Sequence, residues 1–504
     1  MFIIDPGLAV PSARAACRND MVCRKLWRHV VHSALLMGCL GGSFSVPTHA
    51  EAMLIELASV SARSSGTVGV PGYVSVQVNV DQFGNDVLGD AANEPSIAID
   101  PTNPNRIAIG WRQFDTIQSS FRQAGVAYSS DAGQSWTFPG VLDPGQFRSD
   151  PILASDADGN FYYSSLSSIT SAEVFKSVDG GVTWATPVTA HGGDKQWMAI
   201  DRTSGIGRGN VYQNWNIQFT CCPGTEFTRS TDGGTSFESP IGGPSPSMKW
   251  GTLDVGPDGT LHLAGSMLNQ SGHLFATSTN AQDPLQTPTF TSAQSVSLGG
   301  VNVFGGAVNP GGLLGQVSVA TDHSQTATHG NIYMLGSVDA PGPDPLDVMF
   351  IRSTDNGQTW SNPVRVNNDA AGANAWQWFG TMSVAPNGRI DVVWNDTRSD
   401  PTASMSELFY SASFDGGDTW LGNFAIGPQF DQSLGYPIQQ KMGDYYHMIS
   451  DDSAANLAYA ATFTGGQNVY FLRIPAIPEP ATLAVVGVLG LLGFARRKPL
   501  HLLY

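Results

Sequence analysis

The chain has 504 residues, with 25 Lys+Arg against 42 Asp+Glu and a formal net charge of −17. Only 13% of residues are charged while 41% are apolar, which excludes a disordered polyelectrolyte. An acidic chain with no basic face excludes nucleic acid as a partner, and 57 glycines and 31 prolines between short apolar runs predict an all-β protein with many turns.

Residues 1–52 read as an N-terminal extension and signal peptide. From Met21, the expected start, Arg24, Lys25 and Arg28 precede the apolar run 30–40 and the small-residue site Ala50-Glu51-Ala52. Residues 53–90 read as a linker and a closing strand: Tyr73-Val74-Ser75-Val76-Gln77-Val78-Asn79-Val80 alternates at period two, which predicts a strand with one buried face.

Between residues 91 and 473 the text repeats. Five segments share the pattern S-x-D-x-G-x-[ST]-[WF], at Ser129–Trp136, Ser177–Trp184, Ser230–Phe237, Ser353–Trp360 and Ser413–Trp420. Each suits a hairpin turn. The aspartate (Asp131, Asp179, Asp232, Asp355 or Asp415) accepts backbone N–H groups, the glycine supplies positive φ, and the aromatic ring packs beneath the loop. A fourth unit keeps only Ser278-Thr279-Asn280, with Asn280 as acceptor. Upstream of each box lies a second pair of strands, beginning with Pro95–Asp100 and Ile107–Trp111 and ending with Tyr445–Ser450 and Leu457–Thr462. Seven such units, with four strands to a complete unit, predict a β-propeller. Six blades are the alternative, because the interval between Asn280 and Gln316 is long and irregular. The seventh unit lacks a fourth strand, and Tyr73–Val80 is predicted to supply it by pairing with Val469–Arg473.

These boxes resemble those of the BNR/Asp-box, sialidase-like propeller proteins over roughly residues 90 to 473. That resemblance implies that the boxes are structural turns, and that ligands bind on the opposite face. There the innermost strands begin, with Glu94, Asp150, Asp194, Lys195, Trp197, Lys249, Trp250, Trp376, Trp378, Lys441, Asp444 and Tyr445. The second strands end at the same face, with Arg112, Asp115, Asn214, Trp215, Asn395, Asp396 and Arg398. Tryptophans among charges suit a carbohydrate, so Trp197, Trp215, Trp250, Trp376, Trp378 and Asp396 are the candidate ligand-binding residues. The alternative role for each tryptophan is to plug the gap between blades.

Sialidase chemistry implies three arginines on a substrate carboxylate, an Asp acid/base and a Tyr nucleophile activated by Glu. The candidates are Arg112, Arg148 and Arg398, Asp115 or Asp150, and Tyr445 with Glu94. The family's F-R-I-P signature is absent from its expected place before the first blade; Phe471-Leu472-Arg473-Ile474-Pro475 is a coincidental echo. The expected function is therefore glycan binding, with glycoside hydrolysis as a possible activity and a non-catalytic protein-interaction or matrix scaffold as the alternative.

Three smaller signals remain. Cys221-Cys222 lie side by side, as a vicinal disulfide or as two thiols. Asp156-Ala157-Asp158-Gly159-Asn160 resembles a calcium loop but lacks a distal bidentate Glu and falls at a turn common to all units. The ten histidines show no ligand spacing, so neither metal nor cofactor is expected.

The chain's last segment, 474–504, combines Pro478-Glu479-Pro480, an apolar run 481–495 and Arg496-Arg497-Lys498. It resembles a PEP-CTERM sorting signal. That implies an exosortase as partner, a short membrane helix as transient inner-membrane anchor, and a Gram-negative protein exported to the envelope or secreted. Without residues 1–52 and 481–504 the remaining body carries a net charge of −22.

Overall fold

The computed structural model describes residues 54–55, 66–370, 372 and 374–477. The expected signal peptide and sorting helix lie outside these residues. Among the described residues no helix is long and apolar enough to cross a membrane.

Seven antiparallel sheets of three to five strands follow one another around the propeller, and an eighth, two-stranded sheet pairs Leu54–Ile55 with Trp184–Ala185. The fold is an all-β propeller of seven blades. The first four blades begin with Ala91–Ile99, Ser149–Ser155, Trp197–Ile200 and Met248–Val255. The other three begin with Ser318–Thr321, Gln377–Val384 and His447–Asp451. Seven units therefore hold, and the irregular interval before Gln316 contains the fourth blade's outer strand, Gln294–Val296, followed by an insertion before the fifth blade.

The third blade departs from four strands. Its outer position is reduced to a single bridge, Phe227 with Ile241, because Pro240, Gly242, Gly243, Pro244 and Pro246 deny that segment a continuous ladder. The seventh blade is completed from the other end of the chain. Tyr73–Gln77 lies antiparallel to Asn468–Pro475, with Ser75 opposite Leu472 and Gln77 opposite Tyr470. Thr67–Val70 adds a fifth strand outside it.

The inner strands are largely buried on both faces, because each blade is covered by a blade on either side, while outer strands such as Gln294–Val296 and Phe424–Ala425 are partly exposed. Ile107–Phe114 is buried along its whole length. The cores sit between blades: Ala98 and Ala108 of the first pack with Leu153, Phe161 and Tyr163 of the second. Tyr333 and Phe350 of the fifth likewise pack with Ile390 and Trp394 of the sixth.

The boxes tie these interfaces. In the first, the Asp131 carboxylate accepts from the Ser135 backbone N–H at 2.9 Å and the Ser135 hydroxyl at 2.6 Å. The Ser129 hydroxyl donates to Asp131 at 2.8 Å, and Trp136 Nε1 donates to the Gly133 carbonyl at 3.2 Å. Asp179, Asp232, Asp355 and Asp415 repeat the side-chain pattern. In the fourth blade Asn280 accepts from the Thr289 N–H at 2.9 Å, so an amide oxygen replaces the carboxylate. Each complete box presses on the blade before it: Trp360 meets Phe275 edge to face at 5.0 Å, and Trp420 meets Phe350 at 5.1 Å. Asp156 accepts from the backbone of Asp158 and Asn160, which is a turn.

Candidate functional site

Register fixes which end of a blade does what. In the first blade Ile107 pairs with Ser129, where the Asp box begins, and Asn93 pairs with Arg112 at the far end of the same ladders. The box face and the Glu94–Arg112 face are therefore opposite ends of the ring.

At that second face the innermost strands share a local distortion. The pairing slips between Asn93 and Ser96, Ser149 and Ile152, Lys249 and Thr252, and Trp378 and Thr381. The residues at the slips are left-handed: Glu94 at φ 51°, Asp150 at 50°, Trp250 at 54° and Phe379 at 58°. Lys195 at 57° occupies the same place in the third blade, and Gly315 and Gly443 in the fifth and seventh. Left-handed backbone costs a side-chain-bearing residue about 1–2 kcal/mol. Strain of this kind gathers where a site needs groups aimed in a fixed direction. Here it collects charged side chains from separate blades.

Lys195 Nζ sits 2.7 Å from Asp150 Oδ2, in close contact with Asp444 Oδ2 and 4.0 Å from Glu94 Oε1. Lys441 Nζ lies 2.6 Å from Asp444 and 3.3 Å from Glu94. Arg112 Nε lies 3.2 Å from Glu94 Oε2 and donates to Asn93 at 2.9 Å, and Nη1 donates to Gln439 at 3.1 Å. Arg112 Nη2 is buried without a hydrogen-bond partner.

Burial and charge then divide the acids. Burial pushes Glu94 up to about 7 against the pull of Arg112, Lys195 and Lys441, and pushes Asp194 up to about 6 against Lys195. Burial acts on Asp150 too, but Lys195, then Arg112 and Lys441, outweigh it and hold that carboxyl well below the usual range. The same cations hold Asp444 low. Lys195, although buried, is held above its ordinary value by Asp150, Asp444 and Glu94.

Above this network opens a cavity of about 470 Å³, lined by Arg112, Arg122, Asp150, Asp194, Lys195, Lys441 and Asp444 among others. One wall is aromatic. Trp250 stacks on the exposed Phe304 with ring centroids 6.3 Å apart, and Lys249 Nζ stands 3.9 Å above the Trp250 ring. The other wall is the loop carrying Asn216, Gln218 and Phe219, which leads into Cys221 and Cys222, joined as a disulfide.

The other candidates are dispersed. Arg148 is locked to Asp143 at 2.7 Å and Glu173 at 2.6 Å, and Arg398 to Asp396 at 2.7 Å; neither lines the cavity, so the three arginines do not converge. Exposed Asp115 accepts from the Gln123 side chain. Tyr445 and Trp197 form a plug beneath the cavity, their rings 5.3 Å apart, and the Tyr445 hydroxyl donates to the Pro151 carbonyl at 3.0 Å. Trp215 donates to Thr220, and Trp378 to Ser406 inside the core. Trp376 packs as a half-buried flank of the sixth and seventh blades' core. Asp396 is buried, holding Trp394 and Arg398.

Residues missed in the sequence are Arg122, Phe219, Phe304 and Gln439. Phe304 sits in the very insertion that made the blade count ambiguous. A large aromatic in a Gly-rich loop was the available signal.

Residues 476–498 match the PEP-CTERM protein-sorting motif. The chain carries an exosortase sorting signal. Such a motif marks a protein for export in Gram-negative bacteria. No curated protein sequence matches the chain. Among solved structures it resembles a Dyadobacter fermentans protein of unknown function, at 14% identity and TM-score 0.44, over 80% of this chain and 100% of that one. A polysaccharide lyase of family PL25, an ulvan lyase, aligns at 11% identity and TM-score 0.43 over 86% and 99% of the two chains. The Trypanosoma rangeli sialidase aligns at 12% identity and TM-score 0.38 over 85% and 60%.

Proposed function

We propose that this exported propeller acts at the cell envelope or outer surface and binds an anionic extracellular glycan in the cavity on its Glu94–Arg112 face. The observation that carries this reading is the pairing of the Trp250–Phe304 platform with a cation-rich floor. Arg112, Arg122, Lys195, Lys249 and Lys441 face the acids Asp150, Asp194, Asp444 and Glu94, two of which are pushed up to about 6 and 7. The cavity is therefore net positive at neutral pH on a chain of charge −17. A sugar ring stacks on an aromatic face, and a carboxylate or sulfate takes charge-assisted bonds from the cations that line the cavity.

A glycan array read with the wild type and Trp250→Ala tests it. Binding confined to acidic glycans and weakened by the substitution supports the reading. No binding to any glycan overturns it in favour of a scaffold. A second reading, cleavage of the bound chain, is favoured by the divergence of Glu94 and Asp150. One is a carboxyl near neutrality and the other an ionised carboxylate, both within 4.0 Å of Lys195 Nζ. Turnover abolished by Glu94→Gln with binding retained would establish it.

A further inference from the structure

We propose that Cys221, Cys222 and His191 form a binding site for one zinc-class, thiophilic divalent cation when the disulfide between the two cysteines is reduced. The ligand atoms of the three residues lie within 4.8 Å of one another, and all three side chains are half-buried. Bonds of about 2.3 Å to sulfur and about 2.0 Å to imidazole nitrogen place two ligands of one tetrahedral ion about 3.5–3.8 Å apart, so side-chain rotation that draws the three atoms together by about 1 Å closes the set.

The framework that brings His191 to the cysteines does not depend on the S–S bond. The Cys221 N–H donates to the Gly192 carbonyl at 3.1 Å and the Asp194 N–H to the Phe219 carbonyl at 3.1 Å, with Gly193 bridged to Thr220 between them. Gly193 is required there, since a Cβ would fall on the Phe219 carbonyl oxygen. Past the cysteines, the Thr225 N–H and hydroxyl donate to the Cys222 carbonyl at 3.1 and 2.6 Å.

A ring nitrogen of His191 donates to the Glu238 backbone carbonyl, the kind of hydrogen bond that ligand histidines make through their non-ligating nitrogen. Neither the charged network nor the aromatic platform uses these three groups. His191 and Cys221 share no spacing motif and meet only because two loops approach each other.

Reduction breaks the Sγ–Sγ bond. A dithiol reductant supplies two electrons and two protons, becoming a disulfide itself, and the ion then displaces both thiol protons into solvent. The experiment compares the full chain, as purified and after dithiol treatment with removal of the reductant under nitrogen, titrated with Co²⁺ and then Zn²⁺. The expected result is one Co²⁺ per reduced chain with a thiolate-to-metal charge-transfer band, displaced by Zn²⁺ and absent from the oxidised protein. His191→Gln should weaken binding at least about tenfold without changing the thiol count. A reduced chain with no such band, equal binding by the oxidised chain, or an unchanged affinity in His191→Gln each overturns the proposal. The oxidised wild type serves as a control that needs no substitution.

Discussion

Replacing Lys195 by Met keeps the aliphatic stem and the left-handed backbone but removes the ammonium from among three carboxyls. In the native network Lys195, Lys441 and Arg112 face Asp150 and Asp444, held ionised, and Glu94, whose carboxyl is pushed up to about 7. Without Lys195, Asp444 still has Lys441 at 2.6 Å, whereas Asp150 loses its 2.7 Å partner while buried. Breaking a buried pair from one side costs about 3–5 kcal/mol, because the orphaned charge stays desolvated.

The sign of the pH dependence follows from the depressed carboxyls. Groups held below an ordinary value of 3.8 stabilise the fold above that pH, and the contribution is lost as pH falls. Lys195→Met should therefore cost most at pH 7 and much less at about pH 4, where Asp150 in the variant takes up a proton. Urea unfolding at both values measures this, with Lys441→Met as the milder companion, since Asp150 and Asp444 both retain Lys195. A loss below about 1 kcal/mol at pH 7, or the same loss at both pH values, refutes the network's role in holding the blades together.

Other expectations follow from single contacts. Gly357 in the fifth blade's box has φ +80°, and a Cβ there would fall on the Phe275 ring, so Gly357→Ala should destabilise by about 2–5 kcal/mol in thermal or urea unfolding; Gly342→Ala, in open space, should be near neutral. Trp378→Ala should cost about 3–5 kcal/mol of stability from a fully buried site, while Trp250→Ala should leave stability nearly unchanged and weaken acidic-glycan binding about tenfold. The raised Glu94 favours its neutral form, so its share of stability is present below about pH 4.5 and lost as pH rises through about 7. Glycan affinity should fall over the same rise, measured by calorimetry at pH 5.5 and 8, and Glu94→Gln should flatten the profile.

The fold was legible because its punctuation is chemical. Ser129 to Trp136 needs those residue types to satisfy its own turn, and Tyr73–Val80 alternates because one face is buried. The site was legible only as a set of strand starts, Glu94, Asp150, Lys195 and Asp444 among them. Which of those side chains meet depends on the left-handed slips, and φ at Glu94 or Lys195 has no signature in a non-glycine residue. Arg148 and Arg398 looked equivalent to Arg112 in the text; Glu173 and Asp396, local acids in their own blades, hold them elsewhere.

The ring's seam has a mechanical consequence for the sorted protein. Asn468–Pro475 is bonded on one side to Ala454–Ala461 and on the other to Tyr73–Gln77, and the sorting motif begins at the very next residue, 476. A pull on the tail is thus delivered first to the strand that joins the chain's two ends. Because that strand is gripped along both edges, tension along its axis must shear two ladders together rather than peel one bond at a time. The seam that closes the propeller also adjoins the sorting motif, so a chain held by that motif would bear load where it is doubly stitched.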